Sequence, residues 1–269
     1  MNREKNSMRW PELPSGGFSG RVAVVTGGAQ GIGAACVHAL LAQGARVACL
    51  DRDVAGFSAV PDPDLRLYPI DVTDARQVHE TFSQIACDLG PPSLLVNNAG
   101  IVVYGTVTET SEEDWTRVLA TNLTGVFLCS RAALGSMQQL GSGAIVNVAS
   151  VQSMVSQARV AAYTASKSAI LGLTRSIAID YAPAIRCNAV CPGSIDTPML
   201  QRALADDAEA LQECIETHLA GRIGTPEEVA SLVVYLLSDY AGFITGQAVR
   251  IDGGIGLAIG PTPRGTGVR

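Results

Sequence analysis

The segment RVAVVTGGAQGIG, residues 21–33, decides how the chain begins to fold. Its valine-rich first half predicts a strand, and residues 34–43, which follow the segment, have helical character. The glycines between strand and helix allow a tight turn and a close backbone approach, and the N-terminus of the helix supplies free N–H groups. Strand, glycine-rich turn and helix together predict a phosphate-binding arrangement.

A second predicted strand, residues 46–50, ends at Asp51. Asp51 lies 18 residues beyond Gly33, which is near the spacing expected for an acidic residue that accepts hydrogen bonds from a ribose diol. An ordinary strand–helix–strand unit with an aspartate at its surface would show the same pattern. Both interpretations stay open on these residues alone.

Apolar runs and helical patterns alternate along the rest of the chain. Further strands are predicted at residues 65–70, 93–96, 144–149, 185–190 and 248–251, and helices at 75–89, 112–133 (one helix or two), 163–179 and 226–237, with a less regular stretch up to residue 222. This alternation predicts an α/β fold built on a doubly wound parallel sheet. We interpret residues 1–17 as a flexible tail and residues 18–269 as a single domain whose Gly/Pro-rich end, from Gly253, is partly ordered.

A serine, a tyrosine and a lysine form the candidate catalytic group. Ser150 ends the predicted strand 144–149, and Tyr163 and Lys167 are four residues apart, so that on a helix they share one face. Of the 19 lysines and arginines only Lys5 and Lys167 are lysines, which indicates that position 167 requires a compact ammonium able to lower a neighbour's pKa. The pattern predicts a proton-handling site, although a coincidental helical pair remains the simpler alternative.

Composition narrows the function classes. The 269 residues are 47% hydrophobic and 16% charged, which suits a sheet buried on both faces. A net charge of −6 without a basic block argues against nucleic acid and anionic membranes as partners, and no stretch suggests a membrane-spanning helix. Seven cysteines without C-x-x-C spacing and three scattered histidines predict a cytoplasmic protein with reduced thiols and no metal site.

The segments TGGAQGIG, DV, NNAG, YTASK and PGSIDT, together with Asn122 and Ser150, stand in the order and spacing of the classical short-chain dehydrogenases/reductases. The chain resembles this family over about residues 18–254. The resemblance implies a single-domain Rossmann-type sheet of about seven strands with helices on both faces. It also implies a nicotinamide cofactor and a catalytic tetrad of Asn122, Ser150, Tyr163 and Lys167. One departure is visible: the turn at residues 182–186 is one residue shorter than usual.

The resemblance also implies a role for each member of the tetrad. Tyr163 would exchange a proton with the substrate oxygen, and Ser150 would donate a hydrogen bond to that oxygen. Lys167 would lower the pKa of Tyr163 and hold the nicotinamide ribose, and Asn122 would hold a water that links Lys167 to solvent. The implied cofactor contacts are Gly27, Gln30, Gly31, Ile32, Gly33, Asp51, Arg52, Asp71, Val72, Asn98, Ala99, Gly100, Tyr163, Lys167, Pro192, Gly193, Ile195 and Thr197.

Cofactor choice depends on the end of the second strand. Asp51 would accept hydrogen bonds from both ribose hydroxyls of NAD and repel the 2′-phosphate of NADP. Arg52 is a conflicting signal, because some relatives that use NADP clamp the phosphate there. Gln30 occupies a position where NADP enzymes often carry a basic residue, and this favours NAD.

The substrate is the least determined feature. The predicted pocket walls are residues 101–104, 151–157 and 199–219, with Ser150, Gln152, Gln157, Tyr163 and Met199 as substrate contacts. The polar rim favours a sugar or polyol, as in the L-fucose-type dehydrogenases of the family. Met154, Met199 and Leu200 would equally suit a hydroxysteroid or another apolar alcohol. A 3-oxoacyl reductase and a non-enzymatic dinucleotide-sensing scaffold stay open, and the family suggests a homo-oligomer, either dimer or tetramer.

Overall fold

The computed structural model describes residues 17–55, 57, 62–205 and 207–257. Within them, seven parallel strands form one sheet in the order β3-β2-β1-β4-β5-β6-β7. The strands are β1 (Val22–Thr26), β2 (Arg46–Asp51), β3 (Leu65–Pro69), β4 (Leu94–Asn97), β5 (Gly143–Val148), β6 (Ile185–Pro192) and β7 (Ala248–Ile251). The prediction of a doubly wound parallel sheet of about seven strands is confirmed.

The α-helices lie where the helical patterns predict them, with two additions. They are α1 (Gly31–Ala42), α2 (Ala75–Asp88), α3 (Glu112–Leu119), α4 (Gly125–Leu140), α5 (Ala161–Asp180), α6 (Pro198–Leu204), α7 (Ala208–Glu216) and α8 (Pro226–Leu237). The expectation of an irregular stretch up to residue 222 was wrong, because α6 and α7 lie in it. Both begin at a capping side chain: Thr197 Oγ1 accepts from the backbone N–H of Leu200, and Asp207 accepts from the N–H groups of Glu209 and Ala210.

Helices cover both faces of the sheet, which explains why central strands such as β1 and β4 are buried along their whole length, whereas the edge strands β3 and β7 are partly exposed. Ala23 and Val25 of β1 belong to the core cluster that includes α1 and α8. Val22 and Val24, which point the other way, belong to the cluster that includes α2, α4 and α5. The two cores hold the sheet rigid, so its carboxyl edge is a fixed platform for functional groups.

That edge contains the point where the strand order reverses. β1 pairs with β2 on one side and β4 on the other, so the connections that leave these strands run in opposite directions. Ligands of open α/β sheets bind in the crevice that forms there. The glycine turn after β1, Asp51 at the end of β2, and residues 98–100 after β4 all lie at this crevice.

Three sequence expectations concern regions outside these core elements. The short turn at residues 182–186 is closed by a cis Ala182–Pro183 bond and by a hydrogen bond from Ile185 N to Tyr181 O at 3.1 Å. Residues 1–16 of the predicted tail and residues 258–269 of the Gly/Pro-rich end lie outside the described residues.

One helical run, Glu112–Leu140, has the length and apolar composition of a membrane span, so the expectation that no stretch suggests one was wrong by that criterion. Half of its most apolar window is buried inside the protein. Core helices commonly pass the same test, so the run is weak evidence for a membrane.

Candidate active site

The glycine-rich turn after β1 is shaped to bring backbone close to a ligand. Gly27 and Gly31 have φ values of +61° and +54°, a region that favours glycine. A Cβ on Gly33 would lie 1.9 Å from the carbonyl oxygen of Gly27, so no larger residue fits there. Asn98 Nδ2 donates to the same carbonyl at 2.8 Å and to Thr26 O at 3.2 Å, and thereby ties the turn to the end of β4. The N-terminus of α1, which no side chain caps, consequently faces a turn whose glycine backbone a ligand can approach closely.

This glycine turn forms one wall of a cleft of about 420 Å³ at the carboxyl edge of the sheet. Twelve of the predicted cofactor contacts line the cleft: Gly27, Gln30, Gly31, Ile32, Asp51, Arg52, Asp71, Val72, Asn98, Ala99, Gly100 and Thr197. A dinucleotide fits these residues, because backbone N–H groups for a pyrophosphate lie beside a carboxylate suited to a ribose diol.

Asp51 is oriented by the turn itself. Its Oδ2 accepts from Ala29 N at 3.0 Å, and its Oδ1 accepts from Asp53 N at 3.3 Å. The carboxylate is half-buried and lines the cleft next to the exposed Arg52. Asp51 and Arg52, which give opposing signals on cofactor choice, therefore lie next to each other at the cleft.

Ser150, Tyr163 and Lys167 come together at the end of β5 and on the first two turns of α5. The Ser150 hydroxyl lies close enough to Tyr163 to lower the pKa of the phenol, and it accepts from Gln152 N at 3.1 Å. Lys167 Nζ lies 5.7 Å from the centre of the Tyr163 ring and donates to Val148 O at 2.8 Å. Only 4% of Lys167 is exposed, so its ammonium is held in place by the protein.

Burial dominates the proton equilibria of this group. It lowers the pKa of Lys167 from 10.5 to about 8. It raises the pKa of Tyr163, a shift that the hydrogen bond with Ser150 opposes and that the nearby Tyr104 reinforces. The net direction for Tyr163 is therefore upward, opposite to the lowering expected from Lys167.

Asn122 lies in a π-helical segment, Ala120–Thr124, that joins α3 to α4. Its Oδ1 accepts from Ile101 N at 2.8 Å, and its Nδ2 donates to Ile101 O at 2.9 Å and to Ser166 Oγ at 3.0 Å. Both ends of the amide are thus bonded to protein. A Cβ on Gly100 would lie 3.4 Å from both Asn122 Oδ1 and Lys167 Nζ, so the two side chains flank the backbone that follows β4.

The remaining predicted cofactor contacts do not line the cleft. Gly33, Tyr163 and Lys167 lie behind or beside its walls, and Pro192 is the buried last residue of β6. Gly193 and Ile195 instead line a smaller cavity behind the loop that follows β6. Of this loop, Thr197 reaches the cleft: its methyl group would lie 3.1 Å from a Cβ on Gly31.

Some of the predicted substrate contacts line the cleft and others do not. Met199 lines the cleft. Gln152 and Gln157 bond to each other, with 3.1 Å between Nε2 and Oε1, and do not line the cleft. Nine lining residues were not individually predicted, and three of them carry polar groups: Tyr104, Thr121 and Arg202. Tyr104 and Arg202 fall within the predicted pocket walls, whereas no sequence signal marks Thr121.

Among residues 17–257 that the structure describes, no group of three or more histidine, cysteine, aspartate or glutamate side chains could hold a metal ion. All seven cysteines are free, and five of them are buried.

A glycine cradle at the switch point of a parallel sheet, beside a buried Ser–Tyr–Lys group, is the architecture of an oxidoreductase that binds a dinucleotide. Comparison with known proteins narrows this class of oxidoreductase to a family. A family model described as enoyl-(acyl carrier protein) reductase matches residues 27–256.

The names of similar proteins refer to several classes of substrate. A 2-(S)-hydroxypropyl-CoM dehydrogenase of Xanthobacter autotrophicus is 40% identical over 244 residues, which cover 87% of this chain and 96% of that one. A 3-alpha-(or 20-beta)-hydroxysteroid dehydrogenase of Mycobacterium tuberculosis is 38% identical, covering 89% and 91%. The ligand-free aldohexose dehydrogenase of Thermoplasma acidophilum superposes with a TM-score of 0.85 at 37% identity, covering 93% and 99%.

The chain belongs to the short-chain dehydrogenase/reductase family. It is an oxidoreductase that acts on alcohols or ketones, and the enzymes of this family use nicotinamide cofactors.

Proposed function

We propose that this protein is an NAD-dependent dehydrogenase of a secondary alcohol, with Tyr163 as the general acid/base and a sugar or polyol as substrate. The observation that carries the proposal is the contact between Ser150, Tyr163 and the buried Lys167 beside the dinucleotide cleft. A scaffold that only senses a dinucleotide has no need to bury an ammonium against a phenol, since that burial costs free energy.

Each side chain contributes one part of the reaction. The Ser150 hydroxyl donates to the substrate oxygen and orients it toward Tyr163. Tyr163, as phenolate, accepts the proton of the alcohol, and in the reverse direction the phenol returns it to the carbonyl oxygen. Lys167 stabilises the phenolate and donates to the ribose hydroxyls of the cofactor. A bound nicotinamide supplies the hydride acceptor.

The preference for NAD is inferred from Asp51. Its oxygens already accept from Ala29 N and Asp53 N, so the carboxylate is fixed at the cleft and a 2′-phosphate would meet an oriented negative charge. Arg52 opposes this preference. It is exposed and less constrained, and we infer that the fixed carboxylate prevails.

Two substrate classes are supported. A sugar or polyol is favoured by the amides of Gln152 and Gln157 near Ser150, and by the structural likeness to an aldohexose dehydrogenase. An apolar cyclic alcohol is favoured by Met199 and Tyr104 in the cleft, and by the likeness to a hydroxysteroid dehydrogenase.

A panel of sugars, polyols, cyclic alcohols and steroids tests the proposal, with NADH formation followed by absorbance. We expect turnover of at least one sugar or polyol, and a loss of at least about a thousandfold in kcat for Tyr163→Phe with dinucleotide affinity retained. Tyr181→Phe is the control, since this phenol lies at the far end of α5. Full activity in Tyr163→Phe would contradict the assigned role. Dinucleotide binding without turnover of any alcohol would favour the scaffold.

We also propose a homo-oligomer, dimer or tetramer, assembled through α4 and α5. Phe127 on α4 is 45% exposed with Arg131 over its ring at 5.3 Å, and Ile179 on α5 is also exposed. Apolar side chains on the outside of core helices are typical of subunit contacts. Light scattering at micromolar concentration tests this, and a monomer would refute it.

We further propose that the protein works in the cytoplasm. Its seven thiols are free, as expected in a reducing compartment. Fractionation of the native cells, with detection by antibody, tests this location.

A further inference from the structure

We propose that His218 is a positioning residue for the cofactor: its neutral imidazole fastens the loop after β6, which carries Thr197, to the end of α7. The catalytic proposal makes no use of this histidine. It follows α7 directly and is buried, with 3% of its surface exposed.

The two ring nitrogens have different partners, and the partners fix the tautomer. Nδ1 lies 2.7 Å from the carbonyl oxygen of Cys214, which can only accept, so Nδ1 carries the proton. Nε2 lies 3.1 Å from the backbone nitrogen of Ser194, which can only donate, so Nε2 is the acceptor. The neutral ring protonated at Nδ1 is the form that satisfies both bonds.

The backbone around the ring is built for close approach. A Cβ on Gly193 would lie 2.9 Å from Nε2 of His218, and a Cβ on Gly253 would lie 3.2 Å from the ring. Gly253 also has a φ of +56°. The two glycines therefore let the segments after β6 and β7 close on the imidazole, and this explains why residue 193 is small although it does not line the cofactor cleft.

A short path leads from the imidazole to the cleft. Ser194 O accepts from Gly224 N at 2.9 Å, and Asp196 N donates to Gly224 O at 2.9 Å, so the loop is paired along its length. The next residue, Thr197, contacts the glycine turn at Gly31 and lines the cleft. Fixing Ser194 therefore fixes the wall that Thr197 presents to the cofactor.

Protonation of His218 would place an N–H against the N–H of Ser194 and release the loop. The charged groups around the ring come from three elements: Asp252 at the end of β7, Glu228 on α8 and Arg222 before α8. Asp252 accepts from Gly254 N and Gly256 N at 3.0 and 3.1 Å. Arg222 and Glu228 pair with each other at 2.6 Å. Each of these charges thus has its own partner, and the histidine is left to its two backbone bonds.

Two substitutions separate this role from simple packing. His218→Gln keeps one acceptor and one donor on an amide that does not titrate near neutral pH, whereas His218→Leu keeps bulk and loses both bonds. The dissociation constant of NAD is measured by calorimetry, KM and kcat by steady-state kinetics, and Tm by unfolding.

We expect His218→Leu to weaken NAD binding about tenfold, the loss typical of one or two hydrogen bonds, with a smaller change in kcat. His218→Gln should restore most of the affinity. Equal affinity in all three proteins would overturn the inference.

The inference rests on the proposed use of a nicotinamide cofactor, and wild-type binding distinguishes the two failures. A wild type that binds neither NAD nor NADP overturns both proposals. A wild type that binds NAD with no response to His218 substitution overturns only this one. If His218→Leu does not fold, His218→Asn takes its place, because its amide is one methylene shorter than that of glutamine and cannot bridge Cys214 O and Ser194 N; an NAD affinity equal to that of the wild type would then overturn the inference.

Discussion

Replacing Lys167 by methionine removes the charge that we assign to phenolate stabilisation while keeping most of the side-chain volume. Lys167 Nζ lies 5.7 Å from the centre of the Tyr163 ring. With the phenolate charge placed at the ring centre, two unit charges at that separation interact by about 3 kcal/mol at an effective dielectric constant of about 20, which corresponds to about two units of pKa for Tyr163. At a fixed neutral pH the phenolate fraction should therefore fall by about a hundredfold, and kcat for alcohol oxidation with it.

The pH profile should change in the same direction. Burial lowers the pKa of Lys167 to about 8, so the wild type carries the ammonium at neutral pH and loses it as the pH rises through that value. In Lys167→Met the rise of kcat with pH should move upward by about two pH units.

Lys167→Arg separates charge from shape. The Nζ group donates to Val148 O at 2.8 Å and lies beside the backbone of Gly100, so a wider guanidinium does not fit the same space. We expect its kcat to fall by about a hundredfold as well, with an alkaline shift of the profile.

The assay is the initial rate of NADH formation from about pH 6 to about pH 10 under saturating cofactor, with Lys5→Met as the control that removes the other lysine. If Lys167→Met keeps most of the wild-type kcat with an unchanged profile, the electrostatic reasoning is refuted. If Lys167→Arg alone remains active, only the charge matters and the scarcity of lysine is a compositional habit.

Three further predictions follow from the cleft and the buried lysine. Asp51→Ala should bind NAD more weakly and use NADP better, because the charge that repels a 2′-phosphate is gone; the ratio of kcat/KM for the two cofactors measures this, and equal wild-type efficiency with both would contradict it. Gly33→Ala should abolish dinucleotide binding and lower Tm, since its Cβ would lie 1.9 Å from Gly27 O, whereas Gly172→Ala on α5, where a Cβ meets nothing within 4 Å, should not. Lys167→Met should raise the free energy of unfolding at neutral pH, because it removes the cost of burying the ammonium. The gain is at most about 3 kcal/mol, and the loss of the hydrogen bond to Val148 O reduces it. The pKa of Lys167 in the folded state, about 8, lies below the ordinary 10.5. The cost of burying the ammonium is therefore complete below about pH 8 and disappears as the pH rises toward 10.5. Urea unfolding at both ends of that range should show that the difference in stability between Lys167→Met and the wild type shrinks as the pH rises.

The sheet could be predicted from sequence because both of its faces are buried. Strands such as β1 and β5 are buried at every residue, so their apolar runs stand out without any knowledge of tertiary contacts. Helices α6 and α7 were missed for the opposite reason: neither contains a buried residue, so no periodic core pattern marks them. Their caps, Thr197 and Asp207, were the available local signal.

The site was predictable where it depends on strand ends and less so where it depends on loops. Asp51 ends β2 and Asn98 directly follows β4, and the topology brings them to one edge. Gly193 and Ile195 follow β6 in the same way, but their loop turns away from the cleft and packs around His218, which spacing alone does not reveal. The direction of the Tyr163 shift also needed the structure, because burial of the phenol depends on side chains distant in sequence.

The scarcity of lysine makes the chain unusually selective toward amine chemistry. Lys167 is only 4% exposed, and Lys5 is the other lysine in this sequence, so reagents directed at lysine have few side chains to modify. A small acylating reagent that does reach Lys167 would mark one internal peptide, and the extent of that mark with and without added dinucleotide would report directly on whether the catalytic lysine is covered.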